Sequence, residues 1–278
     1  MNIGIVGLGL IGGSLAIDLR SCGHTILGVS RRQETCQQAV GRGIVDAAST
    51  DLESMVAADV VFLCTPLRAI SSTVEHLLPI LPSTTVITDV GSVKASVVKT
   101  IAPQWQNFVG GHPMAGTAES GLDAALSGLF VDRPYVLTPI DSTPVEAVER
   151  VTSIIAPLQC RIYHCTPEDH DRAVSWISHL PVMVSASLIA ACMGEASPIV
   201  LKLAQQLASS GFRDTSRVGG GNPELGVMMA MYNQETLLSS LYAYRNQLDQ
   251  VIQHIEQKDW GALERQLKQT QQTRPQFL

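Results

Sequence analysis

Ile3-Gly4-Ile5-Val6-Gly7-Leu8-Gly9-Leu10-Ile11-Gly12-Gly13-Ser14 opens on a short apolar run, passes through glycines at 7, 9 and 12, and enters a helical pattern. That succession is the order strand, tight turn, helix. Each glycine then has its own job: Gly7 permits the turn, Gly9 lets backbone come close to a diphosphate, and Gly12 lets the helix sit tightly on the sheet. The start of the helix adds unpaired amide donors and a positive dipole end, both suited to an anion. Gly7, Leu8, Gly9, Leu10, Ile11 and Gly12 are therefore assigned to a dinucleotide site. A merely structural glycine turn is the alternative, and it leaves this spacing without a common purpose.

The choice of dinucleotide is made at the end of the next strand. Thr25–Val29 runs into Ser30-Arg31-Arg32, where NAD-binding chains place a carboxylate against the ribose 2′-hydroxyl. No carboxylate is present here. A hydroxyl and two guanidiniums suit a 2′-phosphate, so NADP is the expected cofactor, held by Ser30, Arg31 and Arg32. Two arginines in a surface loop would mean little without the glycine turn before them. Cys64-Thr65-Pro66 closes the run Val60–Cys64 on the same ligand face, with Thr65 read as a helix N-cap and Pro66 as the first helical residue. Capping alone would explain that pair.

Working outward, short β-rich runs alternate with helical ones as far as about Tyr163, the pattern of a parallel sheet with crossover helices. Strands are expected at Ile3–Val6, Thr25–Val29, Val60–Cys64, Thr85–Thr88, Asn107–Val109, Tyr135–Thr138 and Arg161–Tyr163. Beyond about Thr166 the strand signal stops, and helical spacing fills His170–Met193, Pro198–Ser209 and Asn233–Gln257. The fold expected is α/β: an N-terminal Rossmann-type sheet domain over residues 1–165, then an all-helical domain over 166–278. Several of these helices are apolar on more than one face, Val182–Met193 among them. Such helices fit burial against a second subunit as well as an intrachain core.

A chain of 278 residues, 45% hydrophobic, has ample material for a core. Its net charge of −6 argues against general affinity for nucleic acid or an anionic membrane. The six cysteines form no C-x-x-C pair and are read as reduced thiols of a cytoplasmic protein, with no metal site. Val182–Met193, interrupted by Ser185 and Ser187, is taken as too short to span a bilayer, so no membrane partner is expected. The chain ends soon after its helical stretches, so no appended regulatory domain is expected.

Two further segments leave predicted strands toward the ligand face: Asp89-Val90-Gly91-Ser92-Val93-Lys94 and Gly110-Gly111-His112-Pro113-Met114-Ala115-Gly116-Thr117. Glycines and a proline around His112 suggest a rigid, partly exposed turn beside the nicotinamide position. Together with Ser178-His179-Leu180-Pro181 and Phe212-Arg213-Asp214-Thr215-Ser216-Arg217, these motifs resemble the prephenate/arogenate dehydrogenases of tyrosine biosynthesis. The resemblance covers nearly the whole chain. It implies a helical dimerisation domain, hence a homodimer, and an active site between the two domains.

Position by position, the resemblance makes His112 the catalytic histidine facing the substrate's ring 4-hydroxyl, and Ser92 the serine that orients that group. It makes His179 a second active-site histidine and Arg217 the holder of a substrate carboxylate, with Thr117 also on the substrate side. Arg213 and Asp214 are read as structural. Three departures stand out: Val182 where prephenate-using relatives often have histidine, Ala118 where a glutamate is common, and Gly226 within Asn222-Pro223-Glu224-Leu225-Gly226 where tryptophan is frequent. They favour arogenate over prephenate. The expected activity is NADP-dependent oxidative decarboxylation of arogenate to tyrosine, with prephenate dehydrogenation as the alternative. A β-hydroxyacid dehydrogenase and a non-catalytic NADP-binding protein are more remote readings.

Overall fold

The computed structural model describes residues 1–117 and 119–277. The first half runs β1 (Asn2–Val6), α1 (Leu10–Ser21), β2 (Thr25–Val29), α2 (Gln33–Gly41), β3 (Ala47–Ser49), β4 (Val60–Leu63), α3 (Leu67–Leu77), β5 (Val86–Asp89), α4 (Ala95–Ile101) and β6 (Phe108–Pro113). It closes with β7 (Pro134–Thr138), α5 (Val145–Ile155) and β8 (Arg161–His164). The strands form one sheet in the order β3-β2-β1-β4-β5-β6-β7-β8. All neighbours are parallel except β6 and β7. Chain order reverses between β1 and β4, which opens the ligand crevice at the carboxyl ends of those strands.

Burial explains why these runs become strands. Val60, Val61, Phe62 and Leu63 are all buried, as a parallel strand covered on both faces requires. One core packs Leu15, Leu19, Phe130 and Ile154 on one face of the sheet. The other packs Ile70, Val74, Leu77, Val98 and Ile101 on the opposite face. In α3 the buried set Leu67, Ile70, Val74 and Leu77 has the spacing of a single helical stripe.

Three local expectations are corrected. β3 has no β-branched residue to announce it; it forms because Ala47, Ala48 and Ser49 pair with Leu27, Gly28 and Val29. β6 continues to Pro113 because β7 pairs antiparallel with Gly110 through Pro113, so His112 lies in a strand, 8% exposed, and not on a partly exposed turn. Pro66, with extended backbone, caps α3, and the helix starts at Leu67. Thr65 is therefore not the N-cap.

The second half is helical: α6 (Pro167–Val174), a π-helical turn (Ser175–His179), α7 (Leu180–Met193), α8 (Pro198–Leu207), α9 (Ser210–Ser216), α10 (Pro223–Tyr232), α11 (Gln234–Glu256) and α12 (Trp260–Thr273). From Pro167 to Met193 the helix is continuous over 27 residues, with a mean hydropathy of 1.6 in its most apolar window. By length and composition that helix could cross a membrane, which corrects the reading based on Val182–Met193 alone. Pro181 fails to break it because the wide turn just before gives room where the proline ring would meet the carbonyl four residues back. Within it, His170, Asp171 and His179 are buried, and Asp171 is hydrogen-bonded to the sheet domain. Only 17% of the apolar window is buried.

Candidate active site

In the turn between β1 and α1, backbone crowding keeps a side chain off Gly7 and Gly12. Gly7 has φ +107°, and a Cβ there would lie 2.5 Å from the Cys64 carbonyl oxygen. A Cβ on Gly12 would stand 2.0 Å from the Gly7 carbonyl oxygen. Gly9 is different, with nothing within 4 Å of its Cβ position. It caps α1 with no side-chain hydrogen bond, so amide donors and open space coincide where a diphosphate would sit. Leu8 is buried and packs on Gly28, while Leu10 and Ile11 are half-buried at the helix start.

Arg31 and Arg32 are exposed just past β2, with Ser30 half-buried beside them. The Ser30 hydroxyl accepts from the Arg32 amide at 3.4 Å. Among the described residues neither guanidinium has a carboxylate partner, so both are free to meet an anion. On the far side of the crevice, burial and the nearby Asp89 push the Cys64 thiol well up, so it stays neutral. The Thr65 hydroxyl is buried without a hydrogen-bond partner among the described residues.

The reacting end is built where the two halves of the chain meet. His112 Nδ1 lies 2.8 Å from His170 Nε2, and His170 Nδ1 lies 2.7 Å from Asp171 Oδ1. The Asp171 carboxylate also accepts the Lys94 amide at 2.7 Å and the Ala95 amide at 2.8 Å, at the start of α4. Lys94 is fully buried. Its ammonium donates to Asp89 and, at 2.7 Å, to the Gly111 carbonyl, while Asp89 accepts the Gly91 and Gly111 amides. This pair braces the two strand exits that carry Ser92 and His112. Burial drives the Lys94 pKa down, against Asp89, which opposes the shift.

Desolvation first, then His170, Lys94 and His179, hold His112 well below the ordinary imidazole range. It is neutral at neutral pH. Burial likewise lowers His179 to about 4. His179 is fully buried, with Nδ1 3.1 Å from the Asn233 side-chain nitrogen, whose amide also donates to the Asp171 carbonyl at 2.9 Å. The remaining His179 nitrogen, Nε2, and the Ser92 hydroxyl are buried with no hydrogen-bond partner among the described residues. Unpaired buried polar atoms are costly, so these two are open to a polar partner that the described residues do not supply.

Arg217 is exposed, in a turn that packs on α7 so closely that a Cβ on Gly219 would lie 2.3 Å from the Ala186 nitrogen. Among the described residues it makes no hydrogen bond or ion pair with His112, Ser92 or His179. Arg213 pairs with Asp214 at 3.0 Å on the surface. Thr117 is exposed, its hydroxyl accepting the Glu119 amide at 3.2 Å, and Ala118 lies outside the described residues. Sequence reading passed over His170, Asp171 and Asn233. The one signal available was an adjacent His-Asp pair with Val174 one turn on, which puts polar groups on a buried helical stripe.

The family described as "Prephenate dehydrogenase, nucleotide-binding domain" matches residues 15–164, and "Prephenate dehydrogenase, dimerization domain" matches residues 166–269. The chain belongs to the prephenate/arogenate dehydrogenase family. It is an oxidoreductase of that family, with a nucleotide-binding sheet domain and a dimerisation domain. A cyclohexadienyl dehydrogenase of Zymomonas mobilis is 32% identical over 98% of this chain and 94% of its own length. The crystal structure of Synechocystis arogenate dehydrogenase matches with 56% identity and a TM-score of 0.90, covering 100% of both chains. Prephenate dehydrogenase from A. aeolicus, solved with hydroxyphenyl propionate and NAD+, is 28% identical with a TM-score of 0.94, covering 100% of this chain and 98% of that one. Val182 and Gly226 lie together, since a Cβ on Gly226 would stand 3.9 Å from Val182 Cγ1.

Proposed function

We propose that the chain carries out the NADP-dependent oxidative decarboxylation of arogenate to tyrosine, with His112 as the general base. The observation that carries this reading is a buried, neutral His112 imidazole with His179 among the groups that depress it, while the Ser92 hydroxyl and His179 Nε2 are left buried without a hydrogen-bond partner among the described residues. Such a trio suits a substrate hydroxyl that must be oriented and then deprotonated.

The glycine turn and α1 would hold the diphosphate, Ser30, Arg31 and Arg32 the 2′-phosphate, and the Cys64-Thr65-Pro66 corner the opposite wall. When bound, NADP+ supplies the hydride acceptor for the carbon bearing the 4-hydroxyl. Ser92 orients that hydroxyl, and His112 takes its proton as the ring ketone forms. The bond to the ring carboxylate then breaks, its electron pair enters the ring, carbon dioxide leaves, and the phenolate oxygen recovers the proton from His112. Thr117 and Arg217 meet the substrate's other polar groups, Arg217 by gripping a carboxylate, which asks for movement of exposed side chains toward the cleft. The exposed apolar helices are read as a homodimer interface rather than a lipid-facing surface, in a cytoplasmic enzyme whose cysteines stay reduced.

Arogenate is favoured by the 56% identity to an arogenate dehydrogenase and by small Val182 and Gly226 in place of bulkier polar and aromatic groups. Prephenate is the second reading, supported by full-length similarity to a prephenate dehydrogenase. Steady-state kinetics with arogenate, prephenate and simple hydroxyacids, each with NADP+ and NAD+, separate these. The proposal expects the highest kcat/KM for arogenate with NADP+. A preference for prephenate or NAD+ overturns the corresponding half, and cofactor binding without turnover on any substrate overturns the enzymatic reading.

A further inference from the structure

The hydrogen bonds behind His112 fix which of its nitrogens can act, and they originate on the helical half of the chain. Asp171 accepts a backbone amide on each carboxylate oxygen, so it is held as an acceptor and receives the Nδ1–H of His170 at 2.7 Å. A neutral His170 with its proton on Nδ1 has only a lone pair on Nε2. That lone pair, 2.8 Å away, requires the proton of neutral His112 to be on Nδ1. His112 Nε2 is left as the only free lone pair of the ring.

We propose that His170 is a positioning residue that, with Asp171 behind it, sets the tautomer and orientation of His112 so that Nε2 is the basic atom. This deepens the reading of His112 as general base and rests on it. The geometry is rigid at each link. His112, His170, Asp171 and His179 are all less than one-tenth exposed, and the two imidazole rings meet edge to face at 70° with centroids 5.0 Å apart. Asp171 is tied to α4 by two amides, and its own carbonyl is tied to Asn233 at the start of α11. Once His112 accepts a proton, both its nitrogens are donors, and the bond to His170 Nε2 persists with a charged donor, which strengthens it. The same contact thus orients the resting base and steadies its protonated form.

The test compares His170→Phe, which removes the acceptor, with His170→Gln, whose amide oxygen can still accept from His112 Nδ1–H. For the full-length enzyme with saturating arogenate and NADP+, kcat for His170→Phe should fall about 10- to 100-fold, less than the roughly 10²–10⁴ carried by a general base itself. KM for both ligands should stay within about twofold, since positioning of the base acts on the chemical step, and His170→Gln should recover most of kcat. Equal losses in the two variants, or an effect confined to KM, overturn the proposal. His112→Asn is measured alongside: if it retains turnover, the base assignment itself fails, whereas a dead His112→Asn with an unaffected His170→Phe removes only the positioning role. A second measurement needs no variant at His170. Two-bond ¹H–¹⁵N spectra of the ¹⁵N-histidine-labelled enzyme, with His112 assigned by its loss in His112→Asn, should show a protonated Nδ1 and a bare Nε2, and the opposite tautomer overturns the proposal.

Discussion

An imidazole kept from charging is useful as a base only if it meets a proton to take; position 112 satisfies the first condition, and the proposed substrate hydroxyl would satisfy the second. Because desolvation and three neighbouring cationic or ionisable groups depress its pKa, the base is already neutral well below pH 6.5. For a base that must be unprotonated, kcat/KM should rise with pH through a midpoint below 6.5 and be flat from there through neutrality; a midpoint at or above 6.5 would contradict the depressed pKa. Replacing His112 by asparagine should cut kcat by roughly 10²–10⁴ while leaving the NADP dissociation constant, read by fluorescence titration, nearly unchanged. The depressed pKa values also act on folding. His179 binds its proton near 4 in the native state and near 6.5 when unfolded, so between those values the unfolded chain holds more protons. Stability from this group is complete above about 6.5 and is lost as pH falls toward 4. The melting temperature should decline over that window, and less steeply in His179→Gln; parallel slopes in the two proteins would refute this.

At the scale of single elements, the turn between β1 and α1 separates folding from binding at neighbouring glycines. Gly12→Ala forces a Cβ against the Gly7 carbonyl, so it should cost roughly 3 kcal/mol, the upper end for overpacking, and lower Tm by on the order of 10 °C. Gly9→Ala adds a methyl to open space, costs about 1 kcal/mol as a poorer cap, and should chiefly weaken dinucleotide binding. Calorimetry and cofactor titration of the two variants should give opposite rank orders. Arg31→Ala with Arg32→Ala should lower NADP affinity at least about tenfold, the value of one charged hydrogen bond, with little change for NAD+; equal losses would refute a 2′-phosphate site. These elements were legible in sequence because each advertises itself locally: β-branched runs, glycines where backbone comes close, one-sided helical stripes. β3 was not, since Ala47-Ala48-Ser49 has no strand signal and exists by pairing with β2. The extension of β6 was hidden for the same reason, being imposed by β7. His170, Asp171 and Asn233 escaped because their meaning lies in contacts across 54 to 77 positions of chain, which no local pattern encodes.

For the molecule as a whole, the uneven distribution of exposed apolar surface is the main fact. α8 has no buried residue, yet Ile199, Leu203 and Leu207 line one stripe of it at 82%, 50% and 70% exposure, and α7 buries only Leu180 and Ser185. A stripe of this kind in a dimerisation domain is the face we propose a second copy covers. Ile199→Glu with Leu203→Glu should therefore shift the enzyme from dimer toward monomer in sedimentation velocity while the sheet domain keeps its NADP affinity. An unchanged sedimentation coefficient would place the interface elsewhere.

The π-helical turn at Ser175–His179 couples these scales. A π-turn holds one residue more than an α-turn and absorbs it locally, so deleting one residue there would regularise the turn with α6 and α7 keeping nearly their present faces, and would displace chiefly the residues of the turn itself, His179 among them. The wide turn thus lets a buried histidine be placed without turning the exposed apolar face of the helix that follows it.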